Sequence, residues 1–254
     1  MKHLLFNEYQ RVFRNNLFIV LISIFAISLI LTTYFGVVHN KKQIMAQKEA
    51  QEHVREQWNE RTHSNPHQSA HFGSYAFKPS NILNSIDEGV NSVTGNVIRL
   101  EGHRQNEVMF SEASQSLQIS TFGKLKPSLL LQFLIPLLLI FLSFSSYTQE
   151  RDSGRLKLLL VQGASLQNII FSKIISVWLI GLGLLLLTIL VQIIFNISYL
   201  NLDTIFRLIF FLLSYSLYYF ILISLTILFS VVFKNNTGAL SLTVVVWVLW
   251  VIFL

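Results

Sequence analysis

The sequence predicts an all-α polytopic membrane protein: about five transmembrane helices, with a small extracytoplasmic α/β domain between the first two. Three observations carry that class. The chain is 52% hydrophobic and only 13% charged, about half the charge of a typical soluble domain. Its apolar residues also arrive in unbroken runs of spanning length. It has no cysteine, so no disulfide, thiolate metal site or cysteine nucleophile is available. The net charge of +6 calls for no nucleic acid, because basic flanks are normal on the cytoplasmic side of a membrane protein.

The first element is the run from Leu17 to Val38, preceded by Lys2, Arg11 and Arg14. It is too long for a signal peptide and has no small-residue cleavage site, so residues 1–38 read as a cytoplasmic N-terminus with an uncleaved signal anchor. Residues 39–127 follow as the extracytoplasmic domain. They open with a polar helix continuing out of the span, in which Lys48, Glu52, Glu56 and Glu60 recur every four positions and Lys48–Glu52 gives one supporting pair. Glycines and short β-prone runs such as VTGNVIRLEG then predict a small mixed layer. The second span falls within 128–147, with Pro136 predicted to kink it or open a gap for a neighbour. A charged segment, 148–173, separates it from a third span at 174–197. The fourth lies at 205–233 and the fifth at 238–254.

Orientation follows from the short loops. With the N-terminus inside, Arg151, Arg155, Lys157, Lys173 and Lys234 all fall on the cytoplasmic side, and the outside turn 198–204 has no Lys or Arg. The large 39–126 segment holds ten basic residues, but long domains cross largely regardless of charge.

The island SYTQERDSGRLKLLLVQGAS is more than a loop. Its charges cluster at the start of a helix-forming stretch, and Ser153-Gly154 predicts a break and Gly163 a stop. Its second half is apolar yet too short to span, which describes an interfacial elbow helix with Arg155 and Lys157 toward water. In wording, QERDSGRLKLLLVQGASLQNIIFSK resembles the elbow of ABC-2 type transporter permeases, E-R-E-x-G-T-L-R/K-L-L-L-x-Q followed by a small residue, Ser and a basic residue. Glu150, Arg151, Gly154, Leu156, Lys157, Leu158, Leu159, Leu160, Gln162, Ser165 and Lys173 fit it. HSNPHQSAHFGSYAFKP, GNVIRLEGHRQN and FGKLKPSLLLQFLIPLL resemble a bacterial branch with a large loop after the first span, related to the permeases of nitrous-oxide-reductase maturation.

That resemblance implies a permease subunit in a bacterial cytoplasmic (inner) membrane, paired with a second permease and with cytoplasmic ABC ATPase subunits. It implies that the elbow sits in a groove of the ATPase. Glu150, Arg151, Gly154, Arg155, Lys157, Gln162 and Gly163 would form the coupling site, with Glu150 and Arg151 ion-paired to the ATPase and Gly154 making the turn. ATP and magnesium would belong to that partner. No G-x-x-x-x-G-K-[ST] occurs here, and the Gly-Lys of TFGKLKPS lacks the rest of the motif. The chain is therefore expected not to be an enzyme. Family members usually have six spans, so a chain ending at VVVWVLWVIFL is expected to be shortened or to receive a sixth span from elsewhere.

Two further constellations compete with bland readings. His63, His67 and His71 recur every four residues. Asn65 is placed to cap a helix with Pro66 at its first position. His67 and His71 would then share a face at a metal-ligand spacing, with His103 elsewhere in the domain, although histidines more often pack or cap. Gln192 and Asn196 in the third span, and Ser214, Tyr215, Ser216, Tyr218 and Tyr219 in the fourth, either line a substrate path (Gln192, Asn196, Ser214 and Tyr218 above all) or hydrogen-bond between helices; the second reading is favoured. No acid or base is expected deep in a span, which argues against proton-driven transport. The alternative function is a membrane anchoring or assembly subunit whose 39–126 domain binds a partner protein or a metal.

Overall fold

The computed structural model describes residues 2–61, 65–78, 81–89, 91, 95, 97–102, 108–109 and 126–253. Helix α1, Lys2–Phe13, puts Leu4, Glu8 and Val12 on one stripe, and both Glu8 and Val12 are buried. Two residues past its end stands Asn15, whose side chain accepts from the Leu17 amide at 3.1 Å and so caps the next helix. Helix α2 then runs unbroken from Asn16 to Asn59. Past the turn at Asn65 come α3, Pro66–Phe72, and the strands β1 (Ser74–Phe77), β2 (Val97–Leu100) and β3 (Val108–Met109). The described strands pair antiparallel in the order β1-β2-β3, with Ser74 opposite Leu100 and Ile98 opposite Val108.

The remaining described elements are helical. Helix α4 occupies residues 127–143 and contains a π-helical stretch, Leu130–Leu134. Helices α5 (Ser146–Asp152) and α6 (Arg155–Val161) form the elbow. Helices α7 (Leu166–Phe195), α8 (Leu202–Val232) and α9 (Asn236–Phe253) complete the chain. Among the described residues, four helices are long and apolar enough to cross a membrane: α2, the 127–152 segment, α7 and α8; α9 is a shorter apolar helix. The protein is thus mostly helical and multi-pass. The sequence expectation of five spans becomes four long helices plus this shorter one, and α7 begins eight residues before the predicted start of the third span.

The chain divides into two compact units, one of Met1–Leu31, Ser128–Val191 and Ile205–Leu254, the other of Thr32–Pro127 and Gln192–Thr204. In the first, Leu131, Ile135, Leu139, Val177, Leu185 and Ile223 are among the deeply buried side chains. Proline decides a detail of this core. Pro136 has no N–H, and the Ile135 amide bonds back five residues to the Leu130 carbonyl. The Leu131 carbonyl therefore finds no donor in its own ladder, and the Gln132 carbonyl loses its ordinary one. Two adjacent tyrosines of α8 replace them: Tyr219 donates to Leu131 O at 2.9 Å and Tyr218 to Gln132 O at 3.2 Å. Trp247 of α9 donates in turn to the Tyr218 hydroxyl at 3.2 Å.

In the second unit, α2 buries the face bearing Thr33, Val37 and Asn40. The 3-10 turn Ile82–Ser85 approaches so closely at Gly36 that a Cβ there would lie 2.1 Å from the Ser85 carbonyl oxygen. Glycine in a helix interior costs about 1 kcal/mol relative to alanine, and here it permits that approach.

Candidate functional site

The elbow is built by two left-handed glycines. Gly154 (φ 75°) separates α5 from α6, and Gly163 (φ 89°) ends α6 before α7 begins; both conformations strain a residue bearing a Cβ. Between them Leu156 turns inward and joins Tyr147 and Ile169 in a buried cluster, flanked by Leu4, Leu159, Ala164, Ile170 and Val231. Burying one such leucine contributes about 2 kcal/mol, so the elbow is held by packing against α1, α7 and α8.

Charge fixes it further. Lys173 of α7 is completely buried. Its ammonium lies 2.9 Å from Glu150 Oε2 of α5 and pairs on its other side with Glu8 Oε1 of α1. Glu8 also holds Arg11 at 3.0 Å through Oε2. Arg11, Glu8, Lys173 and Glu150 thus form a chain of two cations and two anions with no net charge. A buried lysine needs such partners, because removing an ion from water costs several kcal/mol. Arg151 makes a different contact: it donates to the carbonyls of Phe233 at 3.3 Å and Lys234 at 2.5 Å, capping the C-terminal end of α8. Thr148 hydrogen-bonds Asn236 beside it.

The family resemblance implies ion pairs of Glu150 and Arg151 with an ATPase. In the structure both are engaged within the chain, because Lys173 and the α8 carbonyls lie within reach. The residues turned to solvent are others: Arg155, Lys157, Leu158, Gln162 and Gly163, with Val161 87% exposed at the tip. A notch of about 200 Å³ lies between α1 and the elbow, with Asn7, Arg155 and Gln162 on its walls and Glu8 and Glu150 among its lining. Glu8 and Lys173 are the participants sequence reading missed. Glu8 draws no reading of its own, and Lys173 counts only as a cytoplasmic charge and a motif match. The signal lay in the 4-8-12 stripe of α1, where a carboxylate stands between two apolar positions.

The remaining candidates fall in both units. Tyr218 ties α4, α8 and α9 together, while Ser214 is exposed. Gln192 and Asn196, in the other unit, are buried. Asn196 Nδ2 donates to Gln192 Oε1 at 3.1 Å and Ser85 Oγ to the same oxygen at 2.9 Å, so they dock the 3-10 turn onto the end of α7. Asn65 accepts from the His67 amide at 3.1 Å, with Pro66 in the first turn. The His67 and His71 rings stand 4.7 Å apart. His63 and His103 lie outside the described residues, and no group of three metal-ligating side chains occurs among the described ones.

A family model described as ABC-2 family transporter protein matches residues 3–254, practically the whole chain. The chain belongs to that family. No curated protein and no solved structure matches it significantly. This ABC-2 permease thus has a membrane-transport scaffold in which a short helix, α6, projects between two glycine turns and is anchored from behind by buried charge.

Proposed function

We propose that the chain is the membrane-spanning permease subunit of an ATP-driven transporter in a bacterial cytoplasmic membrane. Its N-terminus and elbow face the cytoplasm, and it acts with a second permease and separate ATPase subunits that carry the ATP and magnesium. The observation that supports this best is the contrast within the elbow. Its rear is fixed by Leu156, Glu150 and Arg151, whereas its front offers Arg155, Lys157, Leu158 and Val161 to a partner. An apolar knob between basic side chains fits a groove with an apolar floor and an acidic rim; the rim charges would tune register and association rate more than affinity. On this reading Gly154 and Gly163 set the projection, and Gln162 borders the contact.

Co-purification with candidate ABC ATPases tests it. Arg155→Glu/Lys157→Glu and Val161→Asp are expected to abolish capture, while Arg207→Gln, remote in sequence from the elbow, leaves it intact. Equal capture by all variants refutes the assigned face.

A second reading, an anchoring or assembly subunit, draws on one observation. Gln51, Val54, Arg55, Trp58, Phe72, Tyr75 and Phe77 line a cavity of about 320 Å³ in the other unit, at the lower end of ligand-site volumes. On that reading Trp58→Ala ends function and the elbow variants do not.

A further inference from the structure

We infer that α1 and the elbow form one rigid lever, with Lys173 as its pin, so that Glu8 is a positioning residue for the coupling step. The inference rests on the permease reading above. Three elements distant in sequence meet at one buried ammonium: α1 through Glu8, α5 through Glu150 and α7 through Lys173 itself. Glu150 alone would neutralise the lysine. The second carboxylate adds a bond from α1, and Arg11 balances its charge from the same helix.

Packing follows the same lines. Leu4 of α1 lies against the Tyr147–Leu156–Ile169 cluster, so α1 touches the elbow through both an ion pair and an apolar contact. Pulling α1 away would leave Lys173 with one of its two counterions and Glu8 without its buried partner, a separation the low-dielectric setting opposes strongly. Sliding of the elbow alone is therefore disfavoured relative to movement of α1 and elbow together. Since α1 leads through Asn15 directly into α2, a push received at α6 is delivered to the first spanning helix as well as to α7. Glu8 performs no chemistry; it decides which helices the push reaches.

The chain has no cysteine, so a pair of spin labels can be placed without background. Asn7 and Gln162 are both exposed and both line the notch, so the labels are placed by Asn7→Cys and Gln162→Cys. Distances between them are measured in nanodiscs, with the co-purified ATPase in nucleotide-free and ATP-trapped states. The expected result is one narrow distribution at the same position in both states, broadened and moved to longer distance by Glu8→Gln. A wild-type distance that changes on ATP trapping overturns the inference, as does a Glu8→Gln distribution as narrow as wild type. Should Glu8→Gln fail to fold, bis-maleimide cross-linking of the two cysteines in the otherwise wild-type complex decides. Retained ATP-driven turnover supports a single lever, and lost turnover refutes it. If no ATPase associates, the permease reading fails separately, and the comparison of the two distributions without nucleotide still decides the Glu8 link.

Discussion

Removing one oxygen, Tyr219→Phe, tests how α4 is held. The side chain is fully buried, and its hydroxyl lies 2.9 Å from the Leu131 carbonyl, which has no backbone donor because Pro136 stands where that donor would be. Interhelical hydrogen bonds in membrane bundles average about 0.6 kcal/mol and reach about 1.7. An acceptor with no alternative donor belongs in the upper part of that range, so the expected loss is about 1–1.5 kcal/mol, roughly a five- to twelvefold shift in the unfolding equilibrium. The assay is reversible unfolding in mixed micelles, followed by tryptophan fluorescence. The decisive comparison uses Pro136→Ala, which restores an N–H to α4. In that background Tyr219→Phe is expected to cost less than about 0.5 kcal/mol, a coupling of about 1 kcal/mol. An identical cost in both backgrounds would refute the claim that the tyrosine stands in for the missing amide.

Other perturbations follow from the same structure. Lys173→Ala leaves two buried carboxylates facing each other and is expected to cost about 3–5 kcal/mol, whereas Glu8→Leu/Lys173→Met/Glu150→Leu comes close to neutral in stability; thermal unfolding of the two variants separates the cases. Gly36→Ala raises helix propensity by about 1 kcal/mol yet destabilises, because its Cβ would overlap the Ser85 carbonyl; hydrogen exchange at the Ile86 and Asp87 amides, which bond to Leu83 O, is expected to accelerate. Gly154→Val is expected to lose about 1–2 kcal/mol at its left-handed turn, and Gly154→Asn less; the same unfolding assay distinguishes them.

Local features were legible in the sequence because short-range rules fix them. Gly154 and Gly163 mark the ends of α6 since few other residues accept positive φ. Asn65-Pro66 announces a capped helix start, and the polar run after Val38 continues as a helix to Asn59. Pro136 reads as a break in its helix. What it breaks against was not legible, because the tyrosines that answer it lie 86 and 88 positions from the carbonyls they bond, and helix register is set by packing of the whole bundle. The ion network was hidden for the same reason. Glu8 and Lys173 are separated by 165 positions, and each alone looks like an ordinary flanking charge. Glu150 and Arg151 stand out in the sequence as charges beside apolar runs, but composition says nothing about which partner a charge takes.

Chain order gives the buried ammonium a consequence for biosynthesis. A lysine on a spanning helix is penalised during membrane insertion, by about 2.5–3.5 kcal/mol at the helix centre and less toward an end. Glu8 and Glu150 both precede Lys173, so both counterions have already been synthesised when α7 reaches the translocon.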